Sequence, residues 1–171
     1  LGLTKEQLVQ EVRPLGADCP FFIYNSPCYA EGIGDKLTPI SLDLSGLQLI
    51  MIKPECGVST KEAYGGIKPK GSCKALTDLK ALKVYNDLKV LADLTNDFED
   101  TVFAIHPEIA SIKKRLQDAG AEYTAMSGSG STVFGLFEND AEGRTDAQLR
   151  LLDEEFASMI IFNDTLGKTQ S

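Results

Sequence analysis

The sequence predicts an α+β fold, an antiparallel sheet with helices on one face. Two observations carry that expectation. Apolar residues recur at helical spacing from about 75 to 119, and over 105–162 the pattern runs helix, strand, turn, strand, helix, strand. That order suits an antiparallel sheet with segregated helices better than a parallel sheet, which would alternate strand and helix. With 171 residues, 43% of them hydrophobic and 25% charged, the chain can bury a core without disulfides or metal.

Thr4 followed by Gln7 forms a capping box, and Leu8, Val9 and Val12 then line one helical face until Pro14, so a helix is expected over 4–13. Leu15-Gly16-Ala17-Asp18-Cys19-Pro20-Phe21-Phe22 mixes small residues, an acid and a proline, and reads as a tight connection. Cys28 to Ile33 reads as a strand interrupted by Gly32 and Gly34; a second, Leu47–Lys53, stops at Pro54, which cannot donate to a ladder. Ser59 or Thr60 can cap a short helix through Tyr64. The stretch 65–72 stacks glycine, proline and lysine and is the strongest loop signal.

Three helical runs follow, marked by Leu76, Leu79 and Leu82, by Leu88, Leu91 and Leu94, and by Ile109, Ile112 and Leu116, the last stopped at Ala119-Gly120. Tyr123–Met126 and Thr132–Phe137 are then expected as strands about a glycine-serine turn, 145–156 as a helix and Met159–Phe162 as a final strand.

A formal net charge of −8 repels a phosphate backbone, which argues against nucleic acid as a partner. Cys19, Cys28, Cys56 and Cys73 are scattered, so reduced thiols are expected and no metal-ligand spacing stands out. No apolar run is long enough to span a bilayer and no basic-then-apolar leader is visible, so a cytoplasmic protein without membrane association is expected. The chain opens Leu1-Gly2-Leu3 without an initiator Met, as if it began inside a larger protein.

Five features could carry chemistry. Ser127-Gly128-Ser129-Gly130-Ser131 lies between two expected strands, whereas a Walker or dinucleotide loop runs from strand into helix to use the helix N-terminus. It is either a hairpin turn or a loop whose missing Cβ atoms admit a phosphate. Asp18, alone among small and apolar neighbours, is either a turn or capping residue or a general base. His106, the single histidine, reads as the cap of a helix beginning at Pro107. Tyr64 and Tyr85 fit surface or core equally well, and the lysines of 61–89 read as a solvated face.

Leu15 to Phe22, followed by Ala30-Glu31-Gly32-Ile33-Gly34-Asp35-Lys36-Leu37-Thr38-Pro39-Ile40, resembles the 4-diphosphocytidyl-2-C-methyl-D-erythritol kinase family of the GHMP kinase superfamily. The likeness continues through Lys53-Pro54, Val58-Ser59-Thr60, Asn96-Asp97-Phe98-Glu99 and Met126 to Gly135, and covers most of 8–140. It implies a ferredoxin-like domain over 39–171, preceded at 1–38 by the tail of a ribosomal-S5-like ATP-binding domain.

The resemblance also implies that Asp18 is the catalytic residue, acting on the 2-hydroxyl of the methylerythritol moiety as it attacks the γ-phosphoryl group of ATP, in non-mevalonate isoprenoid synthesis. Thr60 and Tyr64 fall where the family holds the cytidine, and Ser127, Gly128, Ser129 and Gly130 where it keeps a loop beside the phosphates. ATP and Mg2+ are the implied cofactors, and a cytidine diphosphate-linked methylerythritol the implied partner.

The family's lysine motif, its long glycine-rich ATP loop and further cytidine partners all precede Asp18 and are not in these 171 residues. This chain by itself is therefore expected to be inactive, and apolar surface left by the missing half offers a route to an oligomer. Two rival readings remain at this point, a small-molecule-sensing α+β module and a purely structural or interaction domain.

Overall fold

A computed structural model of the protein describes residues 2–67, 91, 94–138 and 144–167, with backbone alone for 144–148. The expected loop from 68 on and the helical runs marked by Leu76 to Leu82 and by Leu88 fall outside the described residues. The described residues divide into two compact units, 2–43 and the remainder from Leu44 onward.

The first unit opens with α1 (Lys5–Val12), where the Thr4 hydroxyl accepts from the Gln7 N–H while the Thr4 N–H donates to Gln7 Oε1. This is the reciprocal cap expected from the sequence. A 3-10 turn, Arg13–Leu15, carries Pro14.

The expected irregular connection over 15–22 is corrected in its second half, because Cys19–Tyr24 is a helix, α2. Pro20 sits in its first turn, where the absent N–H has no partner to lose, and Asn25 ends the helix in the left-handed region at φ 47°. Lys5 Nζ donates to the carbonyl of Tyr24 at 3.1 Å and ties α1 to the end of α2.

The hairpin of β1 (Cys28–Glu31) and β2 (Lys36–Pro39) is antiparallel, running in register from Cys28 opposite Pro39 to Glu31 opposite Lys36. The expected strand thus stops before Ile33, at a turn where Gly32 and Gly34 take φ +70° and +92°. Its partner β2 was not expected.

The second unit holds a four-stranded antiparallel sheet in the order β4-β5-β3-β6, built from β3 (Gln48–Ile52), β4 (Tyr123–Met126), β5 (Val133–Phe137) and β6 (Ile160–Thr165). With α3 (Thr60–Gly65), α4 (Glu99–Ile105), α5 (Pro107–Asp118) and α6 (Arg144–Phe156), the unit runs strand, helices, strand, strand, helix, strand, the split arrangement of ferredoxin-like folds. The α+β expectation is met. Strand alternation sets the core: Ile50 and Ile52 are fully buried while Leu49 and Met51, which alternate with them, are only partly covered.

The buried β3 face packs with Val133 and Phe137 of β5 against Val102 of α4, Ile109, Ile112 and Leu116 of α5, and Leu149, Leu152 and Phe156 of α6. Gly135 permits this approach, since a Cβ there would lie 3.3 Å from Ala121 Cβ and 3.4 Å from a Leu116 methyl. Among the described residues no helix is long and apolar enough to cross a membrane.

Truncating a fully buried strand residue removes its transfer energy and leaves a cavity. Ile50→Ala is therefore expected to cost about 2–5 kcal/mol in urea unfolding, while Ile161→Ala, 55% exposed on β6, should stay within about 0.5 kcal/mol of the parent.

Candidate functional site

The glycine-serine segment joins β4 to β5 as a tight turn. Ser127 N–H donates to the Thr132 carbonyl at 2.8 Å, and Gly130 N–H donates to the Ser127 carbonyl at 2.9 Å. Gly128 and Gly130 adopt φ +55° and +92°, the left-handed region that side chains oppose. Their surroundings differ. A Cβ at Gly128 would meet nothing within 4 Å, whereas one at Gly130 would lie 2.8 Å from Met126 Sδ and 3.6 Å from a Val58 methyl. Backbone at Gly128 is therefore open to an approaching group, and Gly130 is the point where the turn rests on the core.

Two side chains hold the turn from beneath. Asn96 Nδ2 donates to the carbonyls of Met126 and Gly128, both at 2.7 Å, while its Oδ1 accepts from the Phe98 N–H at 3.0 Å. Glu99, only 8% exposed, accepts from the Met126 N–H at 2.8 Å through Oε1 and from Lys113 Nζ at 2.6 Å through Oε2. A buried carboxylate needs such partners to stay charged at tolerable cost. Tyr123 O–H donates to the Leu94 carbonyl at 3.3 Å, and burial, then the Glu99 charge, pushes its phenol above the ordinary value.

The turn and α3 meet through the same segment. Ser59 caps α3, its hydroxyl accepting from the Glu62 N–H at 3.1 Å, as one of the two expected caps. Thr60 is then exposed at the first helical position. Tyr64, 63% exposed, sets its ring edge-on to Phe98 at 4.8 Å between centroids and 81° between planes. Tyr64 is thus linked to the 127–130 turn through Phe98 and Asn96, while Thr60 stands one helical turn before Tyr64 on α3.

Asp18 lies in the other unit, at the position preceding α2. Its carboxylate makes no capping hydrogen bond, so the capping alternative left open by the sequence is not used. The side chain is exposed, and one carboxylate oxygen is 3.8 Å from where a Cβ of Gly34 would stand. A Cβ there would make an ordinary van der Waals contact, and it is the positive φ of +92° that favours glycine at 34. His106 precedes α5 as expected, yet its ring caps nothing; Nδ1 lies 3.4 Å from Glu108 Oε1.

Lys113 escaped the sequence reading, and the role of Glu99 with it. Lys113 follows Ile109 by one helical repeat and so falls on the apolar face of α5, a placement that calls for a buried partner.

Comparison with known proteins meets this geometry. Residues 75–148 match the family model described as GHMP kinases C terminal. This chain carries a GHMP kinase C-terminal domain. The 4-diphosphocytidyl-2-C-methyl-D-erythritol kinase of Bacteroides thetaiotaomicron is 47% identical to it over 81% of this chain and 49% of that protein. The kinase of the same name from Cytophaga hutchinsonii is 41% identical over 83% of this chain and 52% of that protein.

A crystal structure of 4-(cytidine 5'-diphospho)-2C-methyl-D-erythritol kinase is similar at a TM-score of 0.68 and 26% identity, covering 95% of this chain and 57% of that one. The L. major mevalonate kinase, solved in complex with R-mevalonate, shares the fold at a TM-score of 0.59 and 16% identity, over 99% of this chain and 60% of its own. The chain spans about half the length of the curated relatives it matches, 49% of the Bacteroides protein.

Within the GHMP kinase C-terminal domain, Lys113→Met strands the Glu99 carboxylate in a largely buried site and should cost about 3 kcal/mol in chemical denaturation. Pairing it with Glu99→Gln, which removes the charge and keeps an acceptor for the Met126 N–H, should recover a substantial part of that loss.

Proposed function

We propose that this chain is the carboxy-terminal part of an ATP-dependent kinase that phosphorylates the 2-hydroxyl of 4-diphosphocytidyl-2-C-methyl-D-erythritol in non-mevalonate isoprenoid synthesis. The observation that carries the reading is the open 127–130 turn, held by Asn96 and linked through Phe98 to the exposed Tyr64 ring, in a chain 47% identical to a kinase of that name. Residues 1–38 would close the ATP-binding domain of the complete protein, and 39–171 would form the second domain.

Phosphoryl transfer passes through a loose transition state, so positioning and charge stabilisation do most of the work. Asp18, with no local capping duty, would take the proton of the attacking 2-hydroxyl. The hydroxyl oxygen bonds to the γ-phosphorus, the bond from that phosphorus to the β,γ-bridging oxygen breaks, and ADP leaves. The backbone of Ser127, Gly128, Ser129 and Gly130 would lie beside the phosphates, where the uncrowded Gly128 allows close approach. Thr60 and Tyr64 would hold the cytidine, the ring stacking on the base.

ATP brings the transferable phosphoryl group, and Mg2+ would enter on its phosphates. Among the described residues the single group of three or more Cys, His, Asp and Glu donors close enough to hold an ion contains a thiol and an imidazole, an ill-suited set for Mg2+. This reading makes the protein cytoplasmic, with neither nucleic acid nor membrane as partner, and leaves the 171 residues inactive without an ATP-binding half.

Two measurements test it in a protein joining this chain to the amino-terminal half of a relative. Asp18→Asn should lower kcat by about 10²–10⁴-fold with KM nearly unchanged. Tyr64→Ala should raise KM for the cytidine substrate about tenfold, the equivalent of roughly 1–3 kcal/mol of stacking. A parent protein without turnover, or an Asp18→Asn variant with normal kcat, would overturn the assignment. For the isolated 171 residues, thermal-shift runs with ATP and Mg2+ or with a cytidine diphosphate ligand should show no stabilisation.

A further inference from the structure

Away from the turn, the fold brings the thiol of Cys56 to His106 and Glu108, two metal-ligating side chains that stand much later in the sequence. Cys56 lies in the segment between β3 and α3, His106 between α4 and α5, and Glu108 in the first turn of α5. Their donor atoms all lie within 4.8 Å of one another. His106 Nδ1 is 3.4 Å from Glu108 Oε1, and Cys56 Sγ lies within 4.8 Å of the Glu108 carboxylate.

The other imidazole nitrogen points at a second acid. His106 Nε2 is 3.7 Å from Glu62 Oε1, beyond hydrogen-bond length, and it is buried with no hydrogen-bond partner. A buried ring nitrogen without a partner is costly and calls for a function.

We propose that Cys56, His106 and Glu108 form a transition-metal site suited to Zn2+, with Glu62 as the carboxylate that orients His106. A thiolate, an imidazole and a carboxylate make a mixed soft and hard donor set that Zn2+ accepts and that Mg2+ and Ca2+ do not favour. Tetrahedral Zn2+ with bonds of about 2.0–2.3 Å holds its ligand atoms roughly 3.3–3.8 Å apart, so side-chain rotation on the order of 1 Å closes the cluster.

Metal on Nδ1 leaves the proton on Nε2, which then donates to Glu62, the outer carboxylate–histidine arrangement common around zinc. The orphaned nitrogen thereby acquires a partner. Binding converts the Cys56 thiol to thiolate, its proton passes to solvent, and the Glu108 carboxylate ligates the metal.

The surroundings favour a cation with one open coordination position. Cys56 and Glu108 line a cavity of about 480 Å³ whose wall also carries Glu55 and Glu155, the latter paired with Arg115. The N-terminal dipole of α5 opposes a cation, and Glu108 covers it. Three protein ligands with the fourth position facing a cavity is the pattern of zinc sites that take water or a small ligand. The proposal uses none of the residues assigned to phosphoryl transfer and stands independently of that reading.

Titration of the 171-residue chain with Co2+ tests it, since cobalt replaces zinc and reports thiolate ligation through a near-ultraviolet charge-transfer band. The band should appear at one equivalent, vanish when Zn2+ is added and resist Mg2+. Cys56→Ser should abolish it, and His106→Gln should weaken cobalt affinity at least tenfold.

Glu62→Gln, which leaves all three ligands in place, should weaken affinity about 10–100-fold. Far-ultraviolet circular dichroism accompanies each titration, and His106→Gln and Glu62→Gln decide the matter if Cys56→Ser fails to fold. No band in the folded parent, a band that survives Cys56→Ser through the thiols of Cys19, Cys28 or Cys73, or cobalt affinity untouched by both other substitutions would overturn the proposal.

Discussion

The second unit depends on one buried carboxylate. Glu99 is fixed at its two oxygens by the Met126 N–H and the Lys113 ammonium, so it joins the start of α4 to the end of β4 and the middle of α5 at one point. Burying a charge is unfavourable unless its partners are placed correctly, which makes the contact a demand on geometry more than a source of stability. The observed register of α4 and α5 against the sheet satisfies both oxygens. Asn96, three residues earlier, uses the same placement to hold the carbonyls of Met126 and Gly128.

That arrangement separates stiffness from openness at the turn. Gly130 is pressed against Met126 and Val58, while Gly128 is held by its carbonyl and left uncovered on its other side. A short backbone loop fixed from below and bare above is suited to meeting a polyanion, since no side chain intervenes and no reorganisation is needed. The edge-on contact of Tyr64 with Phe98 extends the same platform, leaving most of the tyrosine ring exposed. The phosphoryl-transfer reading asks the turn for positioning, and the hydrogen bonds of Asn96 and Glu99 are the means of it.

How far the sequence disclosed this depends on the range of each interaction. The cap of α1 by Thr4 and Gln7, the cap of α3 by Ser59, and the strands either side of the turn were legible because each rests on neighbours within a few positions. Helix α2 was not, because Pro20 signals interruption in a sequence yet is welcome in a first helical turn. Strand β2 was hidden by its shortness and its charged, polar makeup, and exists through pairing with β1. Glu99 with Lys113, and Cys56 with His106 and Glu108, come together only through tertiary packing. A lysine on the apolar face of α5 was the one local sign that a partner waited elsewhere.

The position of β3 in the sheet has a consequence for how the molecule is made. Gln48–Ile52 hydrogen-bonds on one side to residues 133–137 and on the other to residues 160–165, so the central strand emerges from the ribosome long before either neighbour exists. Until then its two fully buried isoleucines have no sheet to enter, and closing such long loops is entropically slow. The decisive pairing of this unit therefore waits for β5 and β6 to be made, and until then the nascent chain carries an apolar, unpaired β segment that chaperones have reason to shield.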